Sequence, residues 1–154
     1  DERAALPNRT ELAVGMEVMV TLNVETDLDI ANGARGEITK IILNKHEDAF
    51  SEFIPIVKLT YPPAYILIKR HHTKAVQLEG LKENVLPLVP LEQMFKVFQG
   101  HEQKAIMRQQ LPVTPAYAFT DYHSQGQTIS HTIIDIGDPP TGGLTPFNVY
   151  VTLS

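Results

Sequence analysis

Residues 12–24 read Leu-Ala-Val-Gly-Met-Glu-Val-Met-Val-Thr-Leu-Asn-Val, and this stretch decides the fold class. Its apolar side chains recur at every second position, at Val14, Met16, Val18, Val20 and Leu22. Because successive side chains of a strand point to opposite faces, this period predicts a half-buried β-strand. One face of that strand is expected to pack on a core.

Further short apolar stretches follow, separated by turn residues. They predict strands at residues 37–43, 53–59, 65–68, 85–91 and 94–98, with Pro at several margins. Between the first two strands, Asn32, Gly33 and Gly36 predict a tight structural turn, since Asn and Gly tolerate positive φ. Six short strands within about a hundred residues predict a small SH3-like β-barrel over residues 1–107.

The last third of the chain predicts a different architecture. Residues 117–120 and 132–136 are apolar on both faces, which is typical of buried parallel strands. The polar stretch 121–130 between them has the length of a loop with one helical turn. We therefore expect a mixed α+β fold, in which residues 108–154 form a partial α/β unit.

Composition narrows the function classes. The chain is 43% hydrophobic and has no Cys, which indicates a globular protein and excludes disulfides and thiolate metal sites. No apolar run approaches the ~20 residues of a bilayer span, so no membrane partner is expected. The chain opens Asp-Glu-Arg-Ala-Ala, with neither an apolar leader nor an initiator Met, and we expect a piece of a longer protein.

The net charge of −5 is unevenly distributed. Residues 1–60 hold six basic and eleven acidic side chains, residues 61–110 hold seven and four, and residues 111–154 hold none and three. Only the middle of the chain can therefore attract phosphate. The candidates are Lys69, Arg70 and Lys74, which with the solvated His71 and His72 would form a basic patch that holds a phosphate backbone without reading sequence.

The sequence gives no support for self-contained catalysis. It has no Gly-x-x-x-x-Gly-Lys-Ser/Thr loop, no Gly-x-Ser-x-Gly elbow and no His-Glu-x-x-His motif. His71 and His72 are adjacent, so neither a strand nor a helix would aim both at one metal ion. Asp135 and Asp138 flank a Gly and predict turn and capping roles. We assign no catalytic residue and no metal site.

The densest polar cluster is Thr-Asp-Tyr-His-Ser-Gln-Gly-Gln-Thr at residues 120–128, directly after an apolar segment. Ligands of α/β sheets gather at the carboxyl ends of strands. The hydroxyls, imidazole and amides of this cluster can address phosphate or sugar oxygens. Taken without any further information, these residue types favour an ordinary polar loop that contains a Gly turn.

Four stretches occur in a fixed order: Leu-Pro-Val-Thr-Pro-Ala-Tyr-Ala-Phe-Thr at 111–120, Ser-Gln-Gly-Gln-Thr at 124–128, Ile-Ile-Asp-Ile-Gly at 133–137 and Tyr-Val-Thr-Leu-Ser at 150–154. Together they resemble the C-terminal half of PIF-like and RecD-like superfamily 1 DNA helicases. Residues 14–20 and 32–36 are similar to the segment that opens the SH3-like insertion of these enzymes. The resemblance leaves residues 44–105 uncovered.

The resemblance implies that residues 108–154 are an incomplete RecA-like domain, the second of two that close on ATP and Mg²⁺ and move along single-stranded DNA, usually 5′ to 3′. Thr120 and Ser124 match positions that approach the strand. His123 stands where the family has a lysine, and its imidazole is mostly neutral at pH 7. We nevertheless predict that His123 contacts the DNA strand, as do Lys69 and Arg70. In the family, the rest of this motif leads towards the nucleotide cleft, and it is matched here by Gln125, Gly126, Gln127 and Thr128.

Two features of the family fall outside the chain. An arginine follows Leu-Ser in the family, and the first RecA-like domain supplies the phosphate loop and metal-binding acids. We therefore predict a C-terminal fragment of an ATP-dependent DNA helicase that binds neither ATP nor Mg²⁺ by itself and is inactive alone. Its expected partners are single-stranded DNA and the first RecA-like domain of the same protein. Such enzymes act inside the cell, in the nucleus or mitochondrion of eukaryotes, in DNA repair, recombination and telomere maintenance.

Two other interpretations are open. The chain also fits a standalone β-barrel module that binds nucleic acid or protein without a motor, and a decayed, transposon-derived helicase remnant that binds nothing. Steeply salt-dependent binding of an oligonucleotide by residues 61–110 would favour the module. If the chain does bind DNA, an affinity that is unchanged by Thr120→Ala with His123→Ala would favour the remnant.

Overall fold

A computed structural model describes residues 9–24, 30, 32–51, 53–71, 77–99, 102–118, 120, 129, 131–137 and 142–153. These residues form β1 (Glu17–Val20), β2 (Arg35–Ile42), β3 (Tyr65–Arg70), β4 (Val85–Leu88), β5 (Leu91–Gln99), β6 (Glu102–Gln110), β7 (Val113–Pro115) and α1 (Pro146–Leu153). The chain divides into two compact units, Asp1–Ala116 and Tyr117–Ser154. The boundary predicted between residues 107 and 108 falls inside β6.

Five strands of the first unit form one antiparallel sheet in the order β4-β3-β2-β1-β7. The alternation of residues 12–24 is realised in β1, where Val18 and Val20 enter the core. That core covers one face of the sheet and consists of Val18, Val20, Ile30, Ile38, Ile66, Ile68, Leu86, Leu88, Leu111 and Val113. The apolar side chains of β1 to β4 therefore hold the sheet together from one side.

A bulge in β2 keeps two isoleucines in that core. Ile38 lies opposite Ile68 and Ile41 lies opposite Ile66, so β2 uses one residue more than β3 over the same distance. Without the extra residue at Thr39, the side chains of Ile38 and Ile41 would point to opposite faces. With it, Ile38 is fully buried and Ile41 packs against the same cluster.

The predicted SH3-like barrel is not closed in the part of the chain that is described. β4 and β7 are open edges of the sheet, and β5 and β6 pair with each other as a separate two-stranded ribbon. β7 has three residues and ends at Pro115, while β4 contains Pro87. Because Pro has no amide donor, neither edge offers a full ladder for closure. The described residues of the first unit form an open antiparallel β structure.

Two segments of this unit differ from the strand predictions. Residues 53–59 have no partner strand among the described residues, and Phe53 and Ile56 are exposed there. β6, in contrast, was not expected, because Glu-Gln-Lys-Ala-Ile-Met-Arg-Gln-Gln shows no alternation of apolar and polar side chains. Its antiparallel pairing with β5 makes it a strand.

The described part of the second unit contains α1 and no strand. The parallel strand predicted at residues 132–136 is therefore not formed, and Ile133 is fully exposed. A buried parallel strand needs neighbours on both sides, and the described residues of this unit supply none. The predicted RecA-like strand layer is thus not found in these residues. Residues 119 and 121–128 lie outside the described part.

α1 begins with a reciprocal cap. The Thr145 amide donates to Asn148 Oδ1 at 3.2 Å, and the Asn148 amide donates to Thr145 Oγ1 at 3.3 Å. Pro146 follows the cap at the first helical position, where its missing N–H costs no hydrogen bond. Among the residues described, no helix has the length and apolarity to cross a membrane.

Candidate nucleic-acid interface

Lys69 and Arg70, the predicted phosphate contacts, end β3. Side chains alternate along this strand, so Ile66 and Ile68 are buried and Lys69 is exposed on the opposite face. Arg70 is half-buried, and its amide donates to the Asn84 carbonyl at 2.8 Å. The sheet therefore presents the ammonium group of Lys69 to solvent and holds Arg70 partly inside.

The neighbouring strands place two carboxylates in a row with Lys69. Glu37 lies opposite Lys69 on β2, and Glu17 lies opposite Glu37 on β1. Side chains directly opposite each other on antiparallel strands have Cβ atoms about 4.5–5.5 Å apart. The carboxylates reduce the positive potential that the local sequence predicted at this end of β3. This correction comes from the register of the sheet, which joins residues far apart in the chain.

His71 contacts the same row. Its Nε2 atom lies 2.8 Å from Glu17 Oε2, with the two side chains 52% and 34% exposed. A contact between two side chains of this exposure contributes little to stability. It does hold the imidazole against a carboxylate, so His71 is not the purely solvated histidine of the prediction. His72 and Lys74 lie outside the described residues.

Asn32 and Gly33 lie in the turn that leads into β2. Gly33 has a φ of 87°, and its amide donates to the Val20 carbonyl at 2.8 Å. Gly36, predicted as part of the same turn, lies instead inside β2. A Cβ atom there would come within 2.5 Å of the Lys69 carbonyl oxygen. Gly36 thus permits the close approach of β3 at the position of the candidate cations.

Three further cations, Lys96, Lys104 and Arg108, lie on the β5–β6 ribbon. Successive cross-strand pairs face opposite sides, so Lys96 lies on one face and Lys104 and Arg108 lie on the other. The acidic side chains of the ribbon are Glu92 and Glu102. The charge count of residues 61–110 includes these cations. Their placement cannot be predicted from the sequence, because residues 102–110 do not have the alternating pattern of a strand.

The motif that resembles the helicase family lies largely outside the described residues. Thr120 is described, is exposed and belongs to the second unit. The other residues of the motif that are predicted to contact the DNA strand or to lead towards the nucleotide cleft lie outside the described part of the chain. They are His123, Ser124, Gln125, Gly126, Gln127 and Thr128. Lys69 and Arg70 therefore both lie at the end of β3, with their side chains on opposite faces of the sheet, and the roles of the motif residues stay predictions.

Within the described ranges, no group of three or more His, Asp or Glu side chains is arranged to hold a metal ion. A groove of about 330 Å³ runs along β7 and is lined by Arg9, Thr10, Glu11, Val113, Thr114 and Pro115. Its cation, Arg9, pairs with Glu11 at 2.8 Å. Glu11 therefore compensates the positive charge of Arg9, and the groove offers little electrostatic attraction for a phosphate group.

No protein-family model and no curated protein matches the sequence. Among solved structures, the chain is similar to the crystal structure of Pif1 helicase from Candida albicans, with a TM-score of 0.52 and 20% sequence identity. The similarity covers 92% of this chain and 29% of the helicase chain. The fold of the chain thus resembles part of that helicase, and the chain spans less than a third of its length.

Proposed function

We propose that the chain is the C-terminal, DNA-handling part of a PIF-like helicase, which contributes contacts to single-stranded DNA and couples them to an ATP cleft. Two independent features support this assignment. The ordered motif stretches of residues 111–154 resemble that family by residue type, and the fold resembles part of a Pif1 helicase over 92% of the chain. The agreement between residue pattern and shape carries the assignment.

The DNA contacts would be made to phosphates. Lys69 is exposed at the end of β3, and Lys96 and Lys104 provide further positive charge on the ribbon. Glu17 and Glu37 lie in the row with Lys69, so the attraction is expected to be weak at physiological salt. Contacts of this kind position a strand without reading its sequence.

ATP and Mg²⁺ would belong to the complete helicase. The sequence has no Gly-x-x-x-x-Gly-Lys-Ser/Thr loop, and the described residues offer no group of acidic side chains suited to a metal ion. We therefore assign no chemical step to these residues. Nucleotide binding would need the first RecA-like domain, which is the proposed protein partner.

Fluorescence anisotropy with a labelled oligo(dT) of about 20 nucleotides tests the strand contacts. Thr120→Ala combined with His123→Ala is expected to weaken binding at low salt about tenfold, because each lost hydrogen bond contributes roughly 0.5–1.5 kcal/mol. Thr132→Ala removes an exposed hydroxyl outside the motif and should leave the affinity unchanged. Equal affinities of the double variant and the wild type would support a decayed remnant instead.

The same preparation is expected to release no phosphate from ATP in the presence of Mg²⁺ and DNA. ATPase activity that follows the purified 154-residue chain through gel filtration would contradict the assignment of hydrolysis to another domain.

A further inference from the structure

The imidazole of His71 lies on the outer face of the sheet, the face opposite the core. His71 follows the last residue of β3, yet its Nε2 atom lies 2.8 Å from Oε2 of Glu17 on β1. Because β2 separates β3 from β1 in the sheet, the two side chains meet over β2. Val18, the next residue of β1, is buried in the core, so Glu17 lies on the other face and the contact is made there.

Charged side chains of three strands share this face with the imidazole. Glu37 on β2 lies opposite both Glu17 on β1 and Lys69 on β3, so these three side chains lie on one face. Arg35 stands two residues before Glu37 on β2 and therefore lies on the same face. Within the described part of the chain, the imidazole is thus surrounded by two carboxylates and two permanent cations.

The protonation state of His71 decides the net charge of this group. The two carboxylates and the two cations cancel, so the group is neutral when the imidazole is neutral. The residues that continue the row, Val85 on β4 and Ala116 beside Glu17, carry no charge. Histidine is the side chain that takes up a proton between pH 8 and pH 5. A proton on His71 therefore changes the net charge of the outer face from zero to positive.

We propose that protonation of His71 regulates the binding of single-stranded DNA to this face, with weaker binding at pH 8 and tighter binding at pH 5.5. The inference rests on the proposed function, because it takes the phosphates of the strand as the ligand and the exposed Lys69 as their contact. Glu17 and Glu37 repel those phosphates. A protonated imidazole against Glu17 compensates one of the two negative charges, so the repulsion falls and the affinity rises.

Fluorescence anisotropy with labelled oligo(dT) at pH 5.5 and at pH 8 tests the regulation, in about 20 mM salt so that screening is weak. Neither thymine nor the phosphate backbone takes up a proton in this range, so the DNA keeps its charge. One added charge on a solvent-exposed face should tighten binding about threefold. His71→Gln removes this charge and keeps a polar side chain. The ratio of its affinities at the two pH values should be about threefold smaller than that of the wild type.

His46→Gln is the matched control. His46 is exposed in the β2–β3 loop and its ring contacts Tyr61 of the same loop, so this variant should keep the wild-type ratio. The remaining histidines are common to the wild type and both variants. Equal ratios for the wild type and His71→Gln would overturn the regulation and leave the DNA-handling role standing. Absence of binding at both pH values would contradict the DNA-handling role itself, and this regulation with it.

A second variant tests the same charge balance with every histidine in place. Glu17→Gln removes one carboxylate, so the outer face should carry a net charge of +1 already at pH 8. This variant should therefore bind oligo(dT) at pH 8 about threefold more tightly than the wild type. Asp48→Asn, which removes an exposed carboxylate from the β2–β3 loop, should change the affinity less. An increase for Glu17→Gln no larger than that for Asp48→Asn would overturn the proposal.

Discussion

Gly36 is the residue on which the close approach of β2 and β3 depends most directly. A Cβ atom at this position would lie 2.5 Å from the Lys69 carbonyl oxygen and 2.7 Å from Ile68 Cγ2. The nearer atom belongs to the backbone, so the clash cannot be relieved by a rotamer change. We expect Gly36→Ala to lower the free energy of unfolding by about 1–3 kcal/mol in urea denaturation.

Gly137→Ala is the matched control for this substitution. Among the described residues, a Cβ atom there would meet the Asp135 side chain alone, at 3.1 Å, and that side chain can move. Its urea midpoint should stay near that of the wild type. If Gly36→Ala were as stable as Gly137→Ala, the strand approach described here would be contradicted.

Glu47 makes the stability of the first unit depend on pH. Hydrogen bonds from the Thr60 and Tyr61 amides hold the pKa of this carboxyl below its ordinary value of 4.5. A carboxyl with a lower pKa in the folded state binds fewer protons there than in the unfolded state. Its contribution is therefore complete above pH 4.5 and is lost as the pH falls through the folded pKa.

Glu47→Gln isolates this contribution. The difference in urea midpoint between wild type and variant should be present at neutral pH and should shrink as the solution is acidified below the folded pKa. The effect should be small, because the hydrogen bonds are exposed to solvent. A difference that stays constant over this range would show that the charge of Glu47 does not stabilise the loop.

Among the elements, the β5–β6 ribbon is expected to open more readily than the sheet. Its strands pair only with each other in the described part of the chain, whereas β2 pairs on both sides. An isolated two-stranded ribbon is marginally stable in water. Amides of β5 and β6 should therefore exchange with deuterium at least about tenfold faster than those of β2. Comparable protection would show that another surface covers the ribbon.

Periodicity predicts an element only where one of its faces is buried. β1 to β4 overlap predicted strands because their apolar side chains alternate towards one core. β6 lacks this pattern, so the sequence does not predict it. It is a strand because its backbone pairs with that of β5. Residues 53–59 have the composition of a strand, but composition does not supply a partner. Strand pairing involves two segments of the chain, whereas the periodicity of one stretch of sequence describes only that stretch.

The same limit applies to the candidate site. The cations Lys69 and Arg70 are visible in the sequence as neighbours, and the structure places them at the end of one strand. The carboxylates of Glu17 and Glu37 reach this position only through the register of β1, β2 and β3. A charge count over consecutive residues therefore overestimates the positive potential at this site.

At the scale of the whole molecule, the order of the motif stretches is the basis of the helicase resemblance. That order pointed to a PIF-like helicase, and the fold is similar to part of a Pif1 helicase. Closure of the barrel and the parallel strands of residues 117–136 were not found in the described residues. Both depend on long-range pairing, which the order of motifs does not encode.

The salt dependence of binding to single-stranded DNA tests the helicase assignment most directly. The chain should bind oligo(dT) at low salt, and Lys69→Ala should reduce the slope of log K against log salt concentration by about 0.7, the value for one phosphate contact on a single strand. Lys45→Ala, an exposed lysine in the β2–β3 loop, should leave the slope unchanged. Absence of binding at low salt, or equal slopes for wild type and Lys69→Ala, would contradict a DNA-handling role for this sheet.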